Sequence, residues 1–100
     1  MAPRALPVAA LTAACLAGCS AAENWAMPDV VGSDLQAAQD TVQRLTGFRV
    51  AVTTHDETGA NRTQVYDHEW QVCTQSVAAG SDLAPDAMVD LGVVARGESC

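Results

Sequence analysis

The clearest periodicity in the chain lies between residues 33 and 46. Leu35, Ala38, Val42 and Leu45 recur at spacings of three, four and three, with Gln36, Gln39, Asp40, Gln43 and Arg44 largely off that line. One apolar stripe on a 3.6-residue period predicts an amphipathic helix over Asp34–Thr46. Ser33 supplies an N-cap oxygen, Gln36 completes a capping box, Asp34 puts negative charge in the first turn, and Gly47 is placed to end the helix left-handed. From Phe48 the period changes to two. Phe48, Val50 and Val52 are expected on an inner face and Arg49, Ala51 and Thr53 on an outer one. Asp56 to Gln64 is polar and reads as an exposed loop. Alternation resumes at Trp70–Ser76, with Trp70, Val72 and Thr74 inward and Gln71, Cys73 and Gln75 outward. A turn at Ala79-Gly80-Ser81 and a bend at Pro85-Asp86 lead to a last strand, Met88–Ala95, with Val89, Leu91 and Val93 inward. A short extended segment, Met27–Gly32, precedes the helix. The expected fold class is α+β, one helix packed on a three-stranded antiparallel sheet, since one helix stripe and one sheet face bury each other.

The first 18 residues belong to a different class. They hold 13 of the apolar residues, and Ala5–Ala17 is unbroken except for Pro7 and Thr12, behind a start that carries Arg4. This is the pattern of a signal-peptide core, and it stops too soon for a permanent span of about 20 residues. Leu16-Ala17-Gly18-Cys19 resembles a bacterial lipobox. That resemblance implies a signal peptide over residues 1–18, cleavage before Cys19, and a lipid on the Cys19 thiol that anchors the exported chain to the outer face of the cell membrane. Ordinary cleavage after Ala21 or Ala22, releasing a free secreted protein, is the alternative. Residues 19–26 read as a tether and residues 27–100 as a single domain.

Composition then narrows the partners. Net charge is −7, and all five basic residues are scattered arginines, so no basic stripe is available for nucleic acid. Processing would remove Arg4 and take the side-chain charge to −8. It would also remove Cys15 and commit Cys19 to lipid, leaving Cys73 and Cys100. In an exported chain these most simply form one disulfide, with two free thiols or a zinc site as the alternatives. There is no CxxC spacing, and neither His55 nor His68 falls in a ligand frame.

The reactive-looking clusters are His55-Asp56-Glu57 and Asp67-His68-Glu69. Acid/base or metal work would require them to converge in a pocket, and the preferred reading of both is solvated polar chain. No GxSxG elbow or phosphate-binding glycine loop is present. Catalysis and cofactors are therefore not expected. Trp70 could offer a stacking platform for sugar, but on an inner strand face it reads first as core, and Trp25 reads as an exposed tether residue.

Two segments together resemble the PASTA domain. Met27-Pro28-Asp29-Val30-Val31-Gly32 followed by Leu35 and Ala38 is similar to the family's opening. Thr74-Gln75-Ser76-Val77-Ala78-Ala79-Gly80-Ser81, then Pro85 and a Val-rich strand, is similar to its close. Val77 stands where the family commonly has Pro, and the chain carries a single copy. Its Arg- and Ala-rich, Lys-free composition looks actinobacterial. The resemblance implies a non-catalytic extracytoplasmic module that meets peptidoglycan fragments or β-lactam-like ligands through residues the sequence does not name. The alternative function is an interaction or spacer lipoprotein whose partner is another envelope protein.

Overall fold

A computed structural model describes residues 23–100. The proposed signal segment and Cys19 lie outside the described residues. In chain order the elements are β1 (Trp25–Ala26), α1 (Leu35–Thr46), β2 (Ala51–Asp56), β3 (Trp70–Gln75), β4 (Asp82–Leu83) and β5 (Met88–Ala95), with a 3-10 turn at Asp67–Glu69. Trp25 and Ala26, read as tether, form β1 and pair antiparallel with Leu83 and Asp82 of β4.

The main sheet has the order β2-β5-β3 and is mixed, correcting the expected antiparallel sheet. β5 pairs antiparallel with β3 and parallel with β2. The reason is composition. β5 is the most apolar strand, with Val89, Leu91, Val93 and Val94 all buried, and it takes the centre, where both edges are covered. β2 and β3 are left as opposite edges and run in opposite directions, so β5 lies parallel to β2 and antiparallel to β3.

Leu35, Ala38 and Val42 of α1 pack with Trp70, Val72, Val89, Leu91 and Val93, and Met27, Val30, Val50 and Leu83 close the core. Fully burying a Val, Leu or Met side chain contributes roughly 1.5–3 kcal/mol, so this cluster is the main stabilising element. The helix starts one residue later than expected. Asp34, not Ser33, is the N-cap, its Oδ1 accepting from the Ala37 amide at 2.7 Å. Ser33 is engaged elsewhere, its carbonyl accepting from Val72 N at 2.9 Å, and Gln36 donates to Asp40 instead of closing a capping box. At the other end Gly47 is left-handed, as expected, and donates to the Gln43 carbonyl.

Three inward assignments change. Leu45 is 40% exposed while Thr46 is buried, its hydroxyl donating to the Val42 carbonyl at 2.9 Å. Phe48 is not in a strand: it has φ +64° and is 76% exposed. A left-handed residue other than glycine costs about 1–2 kcal/mol, so Phe48 is both strained and solvated. In β3 a bulge at Cys73, between the Val72–Val93 and Thr74–Gly92 pairs, inserts one residue and reverses the alternation beyond it. Thr74 therefore turns outward and Gln75 inward. The Gln75 amide then holds the opening segment: Nε2 donates to the carbonyls of Pro28 (3.0 Å) and Val77 (2.8 Å), and Oε1 accepts from Val30 N.

Candidate functional site: the groove beside Trp70

Asp56, Trp70 and Ala95 lie at one end of the sheet, and Ala51, Gln75 and Met88 at the other. The first end carries most of the polar chemistry. Asp56, read as the start of an exposed loop, is instead buried at the end of β2. Its Oδ2 accepts from Arg62 N (3.0 Å) and Nε (2.8 Å), and its Oδ1 from Arg62 Nη2 (3.1 Å), Thr58 N (3.0 Å) and Thr58 Oγ1 (2.8 Å). Arg62 also donates to Glu98 at 2.9 and 3.3 Å, and Glu98 accepts from Ala95 N at 2.8 Å. The guanidinium lies 4.9 Å from the centre of the Trp70 ring. One arginine thus ties the 57–66 loop to β2, the indole and the C-terminal tail.

Charge pairing explains the electrostatics. The Arg62 guanidinium holds the Asp56 carboxyl well below the usual carboxylate range against the opposing effect of burial, and it lowers Glu98 in the same way. Arg62 is itself raised, first by Asp56 and then by Glu98. Sequence reasoning did not single out Arg62 or Glu98. The available signal was a ten-residue polar loop with one arginine following a strand that ends in Asp.

Cys73 and Cys100 are joined, with Cα atoms 5.6 Å apart. Cys73 lies on the face away from the helix, as the alternation up to the bulge predicts, and the tail reaches it there. Gln71, on that same face, is the register partner of Val94, whose side chain is buried outside the main core cluster.

Trp70 is 8% exposed, with the core on one side and Arg62 over its ring, so no face is free to stack on sugar. It instead lines an open groove of about 420 Å³ together with His68, Glu69, Ala95 and Arg96. The 3-10 turn positions His68 and Glu69, and the end of β5 positions Arg96, whose amide donates to the Glu69 carbonyl at 2.9 Å. Unlike Arg62, Arg96 is loosely held. Its side chain is 63% exposed and 3.9 Å from Asp34 Oδ2, the helix cap. A cation beside an indole and a methyl group can receive a small carboxylate with an apolar neighbour.

The other sequence cluster divides. His55 and Glu57 point outward, with the imidazole between Glu57 and Asp90, whereas Asp56 points inward. His55 Nδ1 is 2.7 Å from Asp90 and Nε2 is 3.1 Å from Glu57, and Thr53 Oγ1 donates to Asp90 at 2.8 Å. The imidazole pKa is raised, chiefly by the hydrogen bond to Glu57, against the opposing effect of desolvation and with further help from Asp90. His55 and His68 belong to separate surfaces, and among the described residues no group of three or more His, Cys, Asp or Glu is placed to hold a metal ion. Nor is any helix among the described residues long and apolar enough to cross a membrane.

Comparison with known proteins adds one finding. A family model described as PASTA domain matches residues 26–94, from the second residue of β1 to the penultimate residue of β5. No curated protein and no solved structure matches the chain.

Proposed function

The chain belongs to the PASTA domain family, and from that membership we propose that it is an exported lipoprotein, anchored through Cys19, whose single module binds peptidoglycan stem fragments or β-lactam-like ligands without turning them over. The observation that carries the reading is the family match across β1 to β5, which takes in nearly all of the folded chain. The lipobox-like Leu16-Ala17-Gly18-Cys19 supports the anchor, and the groove with Arg96 supports a carboxylate-bearing ligand.

Titration of the mature domain with muropeptides, followed by tryptophan fluorescence and amide shifts, tests the binding. Saturable shifts at residues 68–70 and 95–96 are expected, with Arg96→Gln weakening the affinity about tenfold, the worth of one charge-assisted hydrogen bond. Silence up to millimolar concentration overturns the ligand reading. Cys19→Ala is expected to abolish membrane fractionation, and a variant that stays with membranes overturns the anchor.

A second reading, an envelope protein whose partner is another protein, is favoured by Val65 and Tyr66. These adjacent apolar side chains are exposed on the loop that Arg62 holds in place. Crosslinking to a specific envelope protein at Tyr66, with no response to muropeptides, supports it.

A further inference from the structure

We propose that the corner formed by Leu45, Phe48 and their flanking arginines is a membrane-facing surface, which seats the domain on the bilayer that holds the Cys19 lipid. This rests on the lipid anchor proposed above and adds an orientation to it. Phe48 is where the folded chain most plainly works against itself. Its ring is largely in water and its backbone is left-handed, directly after a glycine that already occupies that conformation. Leu45, three residues earlier in the last turn of α1, is also exposed. Neither side chain contributes to the core cluster. An apolar surface to cover them is therefore what the isolated domain lacks.

The path of the chain says what that surface is. Arg49, next to Phe48, bonds Glu23 and lies 5.8 Å from the centre of the Trp25 ring. Glu23 is four residues from Cys19, so the two Cα atoms are separated by about 14 Å at most. An acylated Cys19 would therefore hold this corner within reach of the headgroups, whose layer on each side of the hydrocarbon is itself several ångströms deep. Charge is distributed to match. The mature chain is strongly acidic, yet two of its four arginines, Arg44 and Arg49, flank Leu45 and Phe48. Arg44 is 3.9 Å from Asp40 and almost fully exposed, free to lie along the interface with its head among phosphates. Arg62 and the Trp70 groove lie toward the opposite end of the sheet, so seating this corner leaves the groove facing the wall.

The test uses the lipidated mature protein in nanodiscs of phosphatidylcholine and phosphatidylglycerol that carry a paramagnetic headgroup label. Amides of residues 45–49 are expected to broaden at least about threefold more than those of residues 68–70 and 95–96, because only an interfacial face stays near the label. Phe48→Gly keeps the left-handed backbone while removing the ring, and is expected to abolish that contrast with the fold intact. Broadening that is even over the domain, or unchanged in Phe48→Gly, overturns the orientation. So do shifts at residues 45–49 that depend on protein concentration without bilayer, which would make the corner an interface between copies. Mass spectrometry of the same sample reads the anchor separately. Absence of acyl chains on Cys19 overturns the anchor and the orientation together, whereas an acylated chain with even broadening overturns the orientation alone.

Discussion

The two ends of the sheet solve opposite problems. At the Asp56–Trp70–Ala95 end, a long polar loop and a C-terminal tail are held by one buried carboxylate, one arginine, an indole and a disulfide. At the Gly47–Arg49 corner, two apolar side chains are left in water and a phenylalanine is held in a conformation that suits glycine. The first end places its interactions inside the domain. The second leaves an unsatisfied surface beside the point where the described chain begins. The difference teaches that residue type alone does not separate stabilising from interacting positions: the charged Arg62 is structural, and the hydrophobic Phe48 is not.

Breaking the braced end gives the largest effect. Arg62→Leu leaves the Asp56 carboxylate buried without its cation, and removing one partner of a buried pair costs far more than removing both. A drop in melting temperature of roughly 15 °C or more is expected by calorimetry, with Arg62→Leu/Asp56→Leu closer to wild type than Arg62→Leu alone. A double variant no better than the single one would mean that the carboxylate is not the source of the loss. Asp56 and Glu98 also predict acid sensitivity. Both are lowered in the folded state, so their contribution is present above the unfolded carboxyl pKa and is lost as pH falls through and below that range. Chemical denaturation from pH 6 to pH 2 should therefore show falling stability, with a flatter profile in the double variant. Removing the bridge with Cys73→Ala/Cys100→Ala comes next. The loop it closes spans 27 steps of chain, and the chain-entropy relation gives about 3.5 kcal/mol for a loop of that size.

At the other end the sign reverses. Phe48→Gly relieves the left-handed strain and loses little packing, so the isolated domain is expected to gain about 1 kcal/mol in urea denaturation. A loss of similar size would show that the ring packs in solution.

This is also where reading the sequence failed for a physical reason. Apolar periodicity found the helix and the strand cores because burial is periodic there, and it placed Val50, Val72, Val89, Leu91 and Val93 correctly. It carried Phe48 inward because hydrophobicity does not register a second consecutive left-handed residue. Alternation through Trp70 and Val72 was right until the bulge at Cys73, which no local pattern marks, reversed Thr74 and Gln75. Strand direction was missed because pairing is non-local, and the central place of β5 depends on its competition with both edges. For the groove, Asp67-His68-Glu69 and Trp70 were visible as a cluster. Arg96 was not, because it arrives from 26 residues away along the chain by the β3–β5 register, Trp70 opposite Ala95.

The smallest effect separates two neighbouring carboxylates at the braced end. Asp56 has a permanent cation, whereas Glu57 turns to the outer face and shares His55 with Asp90. Because the folded-state pKa of His55 is raised, the interaction contributes fully below the unfolded value of about 6.5 and is lost as pH rises through the folded value. The groups are between about a third and a half exposed, so the amount is on the order of 0.5 kcal/mol. Gly92 lies beneath them, and a Cβ there would come 2.7 Å from Glu57 Oε2 and 2.3 Å from Thr74 Oγ1. Gly92→Ala is therefore expected to push Glu57 away and return the His55 pKa toward its ordinary value, read by NMR titration of the imidazole, while the acid limb set by Asp56 stays in place. If the His55 titration does not move, Asp90 alone sustains the shift and the outer carboxylate has no part in it.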